Sequence, residues 1–119
     1  MFRITLDHAN SLYIATFDET ISNEEFIEEF REIIGYPTYN KLVDLRSVKH
    51  VEVSHETLRR AIEMLTDATQ QARRRIAVVA PNDVAFGMAR TYEAMRPPSL
   101  SQFHVFRGID EAMEWLRSL

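Results

Sequence analysis

The sequence predicts an α/β fold, a mixed and mostly parallel sheet with an N-terminal hairpin and four helices. After residue 40, short runs rich in β-branched residues alternate with longer segments of helical periodicity. That alternation favours parallel strands joined by crossover helices. The run IAVVA at 76–80 is apolar at every position, which is typical of a strand covered on both faces.

The N-terminal part predicts a hairpin and the first helix. Residues 2–6 alternate between apolar and polar, the turn formers DHANS follow, and residues 12–17 form a second extended run. A hairpin at this end supplies the antiparallel edge of the sheet. Ser22 and Glu25 then have the spacing of a capping box, which predicts a helix start, and Gly35 ends that helix.

Strands and helices alternate from there to the C-terminus. No internal repeat or linker interrupts the order, so one domain over residues 1–119 is expected. The predicted strands are Leu42–Leu45, Ile76–Ala80 and Phe103–Phe106, and the predicted helices cover about 54–72, 82–95 and 109–116.

Composition excludes several classes of function. The 14 Lys and Arg against 18 Asp and Glu give a net charge of -4, which opposes binding to nucleic acid. With no cysteine, the chain has neither disulfides nor thiolate metal sites, and its four histidines show no i, i+4 pair. No metal or cofactor is expected. The absence of a signal peptide or a bilayer-length apolar run predicts a cytoplasmic protein without a transmembrane segment.

No catalytic constellation is evident. Asp44, Ser54 and His55 contain the residue types of a hydrolytic triad, but adjacent Ser and His at a helix start project in different directions. A G-x-S-x-G turn is also missing from the sequence. We therefore do not expect an enzyme, and we interpret Asp44 as a carboxylate that organises its loop.

The order of elements, together with VDLRSVKHVEVS at 43–54, resembles the STAS domains of bacterial anti-sigma-factor antagonists over nearly the whole chain. The C-terminal half is similar to a divergent, SpoIIAA-like branch that shares features with lipid-carrier domains. The residues that carry this second resemblance are FGMAR at 86–90 and EAMEWL at 111–116. The resemblance implies a single STAS-like domain.

The resemblance also implies where a regulatory phosphate would be attached. In the family, a strand that ends in Asp-Leu leads to Asp-Ser-Ser-Gly, whose first serine caps the next helix and is phosphorylated by a partner kinase. Asp44 matches the strand, Glu52 stands at the aspartate, Val53 at the acceptor serine, Ser54 at the second serine and His55 at the glycine. The acceptor position has no hydroxyl, so Ser54 is interpreted as a helix cap rather than as a phosphorylation site.

Two functions remain open. The first is a non-catalytic regulatory or interaction module without the usual phosphoacceptor serine, which binds a protein partner and is compatible with a homodimer. Its interaction surface is expected at the loops that follow the strands, with Asp44, Glu52, Ser54, His55 and Asp83 as candidate residues. The second is a carrier or sensor of a small apolar, lipid-like ligand, which needs a cavity of several hundred cubic ångströms. Its candidate lining residues are Phe26, Phe30, Phe86, Met88 and Tyr92.

Two further features are interpreted structurally. Arg73, Arg74 and Arg75 are expected as a solvated run at the C-terminus of the second long helix, where cations favourably meet the helix dipole. Gly87 lies within a predicted helix at a cost of about 1 kcal/mol relative to alanine, so close packing or the approach of a ligand is expected there.

Overall fold

The structure is a computed structural model that describes residues 1–69, 74–97 and 102–118. Its strands are β1 Phe2–Asp7, β2 Leu12–Phe17, β3 Thr20–Ser22, β4 Asn40–Asp44, β5 His50–Glu52, β6 Arg75–Val79 and β7 Gln102–Phe106. Its helices are α1 Asn23–Ile34, α2 His55–Thr69, α3 Asp83–Met95 and α4 Ile109–Arg117. The predicted end of α2 near residue 72 lies outside the described residues.

The main sheet has the strand order β1-β2-β4-β6-β7. β1 and β2 pair antiparallel as the N-terminal hairpin, and every other neighbouring pair is parallel. The predicted neighbours β4, β6 and β7 are therefore confirmed. A second sheet pairs β3 with β5 in parallel, and the sequence did not predict it because both strands have only three residues.

The helices cover the two faces of the sheet unequally. New strands are added in one direction along the sheet, and right-handed crossovers then place their connecting helices on the same face. Accordingly, α1, α2 and α3 share one apolar cluster with the sheet, whereas α4 packs on the opposite face. None of the described helices is both long and apolar enough to cross a membrane.

Side-chain caps fix the starts of α1 and α3. The Ser22 Oγ accepts the Glu25 N–H at 3.2 Å, which confirms the predicted start of α1. The Asn82 Oδ1 accepts the Ala85 N–H at 2.9 Å at the start of α3. Each cap satisfies one of the amides that a helix N-terminus otherwise leaves without a partner.

The interpretation of the arginine run as solvated is wrong for the two members that the structure describes. Arg74 is buried and Arg75 is half-buried. Arg75 is the first residue of β6, and successive side chains along a strand point to opposite faces of the sheet. Arg75 therefore lies against Trp115 of α4, with its guanidinium carbon 5.5 Å from the ring centroid, while Arg74 lies on the side of α1 and α3. Arg73 lies outside the described residues.

The expectation of close packing at Gly87 is also wrong. Gly87 is exposed on α3, and a Cβ atom built there would meet nothing within 4 Å. A side chain at position 87 would therefore fit, so close packing does not explain the glycine.

Candidate functional site

The loops that follow β4, β6 and β7 meet at one end of the sheet, where the strands have their carboxyl ends. The Asn82 side-chain amide donates a hydrogen bond to the Val48 carbonyl. The Arg107 guanidinium donates to the Pro81 carbonyl at 2.8 Å. These bonds join the three loops into one surface, which we call the C-terminal edge. It comprises residues 45–55, 80–84 and 107.

Asp44 organises the loop at this edge. Its carboxylate accepts hydrogen bonds from the Arg46 backbone N–H at 3.0 Å, from Nε at 3.0 Å and from Nη2 at 2.9 Å. Burial alone raises the pKa of Asp44, but the bonds from Arg46 outweigh that effect and hold the pKa below its usual value. Asp44 is thus an ionised group engaged by its own loop.

Ser54 caps α2. Its Oγ accepts the Thr57 N–H at 3.2 Å and donates to the Thr57 hydroxyl at 3.1 Å. Its own backbone N–H donates to the Asn23 side-chain oxygen at 2.9 Å. The preceding Val53 is half-buried and packs against the larger core cluster. An apolar side chain in the core therefore occupies the position aligned with the family's phosphoacceptor.

The other predicted residues of the C-terminal edge are exposed. Glu52 ends β5 and His55 begins α2. Asp83 begins α3 and forms an ion pair with Arg107 at 2.9 Å. Among the described residues, no hydrogen bond joins Asp44, Ser54 and His55 to one another, so these three do not form a catalytic triad.

Sequence reasoning missed Val84 at this edge. Its exposed fraction is 57%, and it directly follows Asp83 in the first turn of α3. The buried face of this helix is formed by Ala85, Ala89 and Tyr92. An aliphatic residue outside that face was the signal available in the sequence.

The predicted ligand-lining residues are only partly brought together. Phe26, Phe30, Met88 and Tyr92 line a cavity of about 40 Å³ between the sheet and the helices α1 and α3. Phe86 does not line it. This ring lies instead toward the C-terminal edge, where the Arg107 guanidinium carbon is 3.9 Å from the ring centroid.

The cavity also has charged residues that the sequence analysis did not identify. Glu29 and Lys41 form a buried ion pair at 2.7 Å, and the Tyr13 hydroxyl donates to Glu29 at 3.3 Å. Burial lowers the pKa of Lys41, and the partnership with Glu29 only partly offsets it. Glu29 falls on the apolar stripe of α1 between Phe26 and Ile33, and a carboxylate on such a stripe was the signal available in the sequence.

The described residues do not include a cluster of three or more His, Cys, Asp or Glu side chains that could hold a metal ion. Nor does the sequence match a family model or a curated protein.

The fold is similar to two solved structures over nearly its whole length. One is an uncharacterized protein of the DUF3478 family with a SpoIIAA-like fold from Shewanella loihica PV-4, with 13% identity, a TM-score of 0.60, and coverage of 98% of this chain and 92% of that chain. The other is the anti-sigma factor antagonist SpoIIAA in its unphosphorylated form, with 9% identity, a TM-score of 0.57, and coverage of 100% of both chains. At these identities the likeness shows the fold alone.

Proposed function

We propose that this chain, which has a SpoIIAA-like fold, is a non-catalytic interaction module that binds a protein partner through the C-terminal edge. The observation that carries the proposal is Val84. Among the described residues, Val84 and Met1 are the large apolar side chains with high exposure, and Val84 lies on this edge. Protein interfaces have an apolar centre inside a polar rim, and Val84 among the charged residues of this edge offers such a centre.

The arrangement of the sheet supports a protein partner rather than a small molecule at this edge. Small-molecule sites in open α/β sheets lie in the crevice where the strand order reverses. Here the strand order has no reversal. The bonds from Asn82 and Arg107 hold the loops together, and a surface ordered before binding loses less conformational entropy when the partner arrives.

The same edge supports binding that is independent of phosphorylation at the aligned serine position. Val53 has no hydroxyl and packs against the core, and the Ser54 hydroxyl is engaged by Thr57. A phosphate on Ser54 would have to replace that contact with Thr57.

The carrier function is less well supported. A carrier needs a cavity of several hundred cubic ångströms, whereas the cavity beside Phe26, Phe30, Met88 and Tyr92 measures about 40 Å³. A volume of that size does not accommodate a lipid-like chain, so the interaction module is the better supported function.

A photo-crosslinking residue at position 84 tests the proposal. We expect crosslinking to a partner in the host organism from position 84 and none from position 114, which is exposed on α4. With the purified partner, the double variant Glu52→Ala/Asp83→Ala and the single variant Val84→Ser should each raise the Kd at least about tenfold.

The matched control is Glu28→Ala/Glu114→Ala, which removes the same charge from exposed positions on α1 and α4. It should leave the Kd within about twofold, and all variants should retain cooperative unfolding. An equal loss of affinity for the partner in the two double variants, or no loss in either, would place the interface on another surface.

A further inference from the structure

Arg74 is the most unusual charged residue among those described. It lies directly before β6 with an exposed fraction of 4%, and it lines the cavity between the sheet and the helices α1 and α3. Its two terminal nitrogens, Nη1 and Nη2, make no hydrogen bond to any described residue. A buried guanidinium normally has partners for its donors, because leaving them without acceptors costs considerable free energy.

The neighbouring charges do not neutralise Arg74. Glu29 and Lys41 also line the cavity and pair with each other at 2.7 Å. This pair has zero net charge whether it is ionised or has exchanged its proton. The charge of Arg74 is therefore not cancelled, since arginine keeps its proton inside proteins. Arg96 adds to the positive charge beside the cavity, with its guanidinium carbon 4.7 Å from the Phe103 ring centroid. A bound anion would supply the negatively charged partner that Arg74 does not find among the described residues.

We propose that Arg74 binds the carboxylate of a small apolar acid in this cavity. The planar guanidinium matches a carboxylate in a bidentate arrangement. The Tyr92 hydroxyl is a second donor, because it is buried, lines the same cavity and has no hydrogen-bond acceptor among the described residues. Apart from Arg74, the Tyr92 hydroxyl and the paired Glu29 and Lys41, the lining is aliphatic and aromatic, and it includes Ile76 and Phe103.

The size and charge of the cavity select the class of ligand. A volume of about 40 Å³ corresponds to roughly three water molecules, which suits an acid of the size of acetate to butyrate. A carboxylate monoanion offsets the charge of Arg74. Inorganic phosphate would bring more charge and more oxygens, and the apolar part of the lining offers them no donors.

This site is independent of the interaction surface proposed above. Arg74 precedes the amino end of β6, whereas the C-terminal edge lies where the strands have their carboxyl ends. A ligand at Arg74 and a partner at Val84 therefore occupy opposite ends of the sheet, and either proposal can fail without the other.

Nuclear magnetic resonance titration with acetate, butyrate, decanoate and phosphate at constant ionic strength tests the proposal. The methyl groups of Met88 and Ile76, which line the cavity, report directly on its contents. We expect saturable shifts of these methyl signals with acetate and butyrate. Arg74→Met should weaken butyrate binding roughly tenfold to hundredfold, the change that follows from losing a charged hydrogen bond.

Tyr92→Phe should weaken butyrate binding by a smaller factor, and the control Arg31→Met, at an exposed position of α1, should leave it unchanged. If Arg74→Met does not fold, Arg74→Lys takes its place, since it keeps the charge but loses the bidentate geometry and should also weaken binding. Decanoate is too long for a cavity of this volume and should shift these methyl signals less than butyrate.

Three results would overturn the proposal. They are no methyl shift with any acid, equal butyrate affinity in the wild type and the Arg74 variant, and phosphate binding at these methyl groups as tightly as butyrate.

Discussion

At the scale of single residues, Ser54 joins the starts of two helices. Its hydroxyl caps α2 through Thr57, and its backbone N–H bonds the side chain of Asn23 at the first position of α1. The cap was predictable from the sequence, because a serine directly before an amphipathic segment is a common helix start. The bond to Asn23 was not, because it joins residues 31 positions apart.

Replacing the Ser54 hydroxyl tests its role as a cap. Ser54→Ala should lower the free energy of unfolding by about 1 kcal/mol, and Ser54→Asp should recover most of the loss because it restores an acceptor oxygen and adds a charge that suits a helix N-terminus. Urea denaturation measures both changes. Ser47→Ala, at an exposed loop position, is the control and should change stability little.

Affinity for the partner should be the same in both Ser54 variants. The opposite result would be phosphate on Ser54 in protein isolated from its host, together with an Asp variant that changes partner binding at unchanged stability. That combination would show that Ser54 is a regulatory switch.

At the scale of elements, the buried pair of Glu29 and Lys41 ties α1 to β4. The Lys41 ammonium also lies 4.5 Å from the centroid of the Phe30 ring, which adds a cation–π contact. The buried apolar face of α1 includes Phe26, Phe30 and Ile33. The ion pair was missed because charged residues are ordinarily placed at the surface when only the sequence is known.

Replacing only one partner of this ion pair should lower the stability of the protein strongly. Lys41→Met should lower the free energy of unfolding by about 3–5 kcal/mol, because it leaves Glu29 buried without its counter-ion. The double variant Lys41→Met/Glu29→Leu should recover most of that loss, and urea denaturation measures the coupling between the two sites.

The exposed pair of Arg59 and Glu56 on α2 is the control. Arg59→Met should produce only a small fraction of the Lys41→Met effect, since solvent screens an exposed pair. If the double variant at 29 and 41 showed the sum of the single losses, the pair would not act as a unit.

At the scale of the whole molecule, the strands differ in how well they are protected. β4 and β6 have neighbours on both sides, and both contribute side chains to the clusters on the two faces of the sheet. β3 and β5 form a separate sheet of two three-residue strands. Short strands of this kind depend on the rest of the fold for their stability.

Hydrogen exchange should follow this difference. We expect the slowest backbone amides in β4 and β6, with exchange only through global unfolding, and exchange faster by a factor on the order of a hundred in β3 and β5 through local opening. Exchange followed residue by residue by nuclear magnetic resonance measures it. Equal protection in β5 and β6 would mean that the small sheet opens only with the whole molecule.

The sequence predicted the order and type of the main elements because their periodicities are long and regular. It did not predict the three-residue strands β3 and β5, whose pairing depends on tertiary contacts. It also misplaced Arg74, because a run of three arginines resembles a solvated surface, whereas the chain entering β6 places Arg74 in the interior. The positions of the buried charged groups were thus harder to predict than the fold that holds them.

The strand order of the main sheet bears on how the chain reaches its native state. Spatial order follows chain order throughout β1-β2-β4-β6-β7, so each new strand pairs with a strand that is already synthesised. Each step closes only a hairpin or a single crossover, which keeps the entropic cost of loop closure small. A nascent chain leaving the ribosome can therefore extend the sheet one crossover at a time, and only α4 must wait until the last strand is in place.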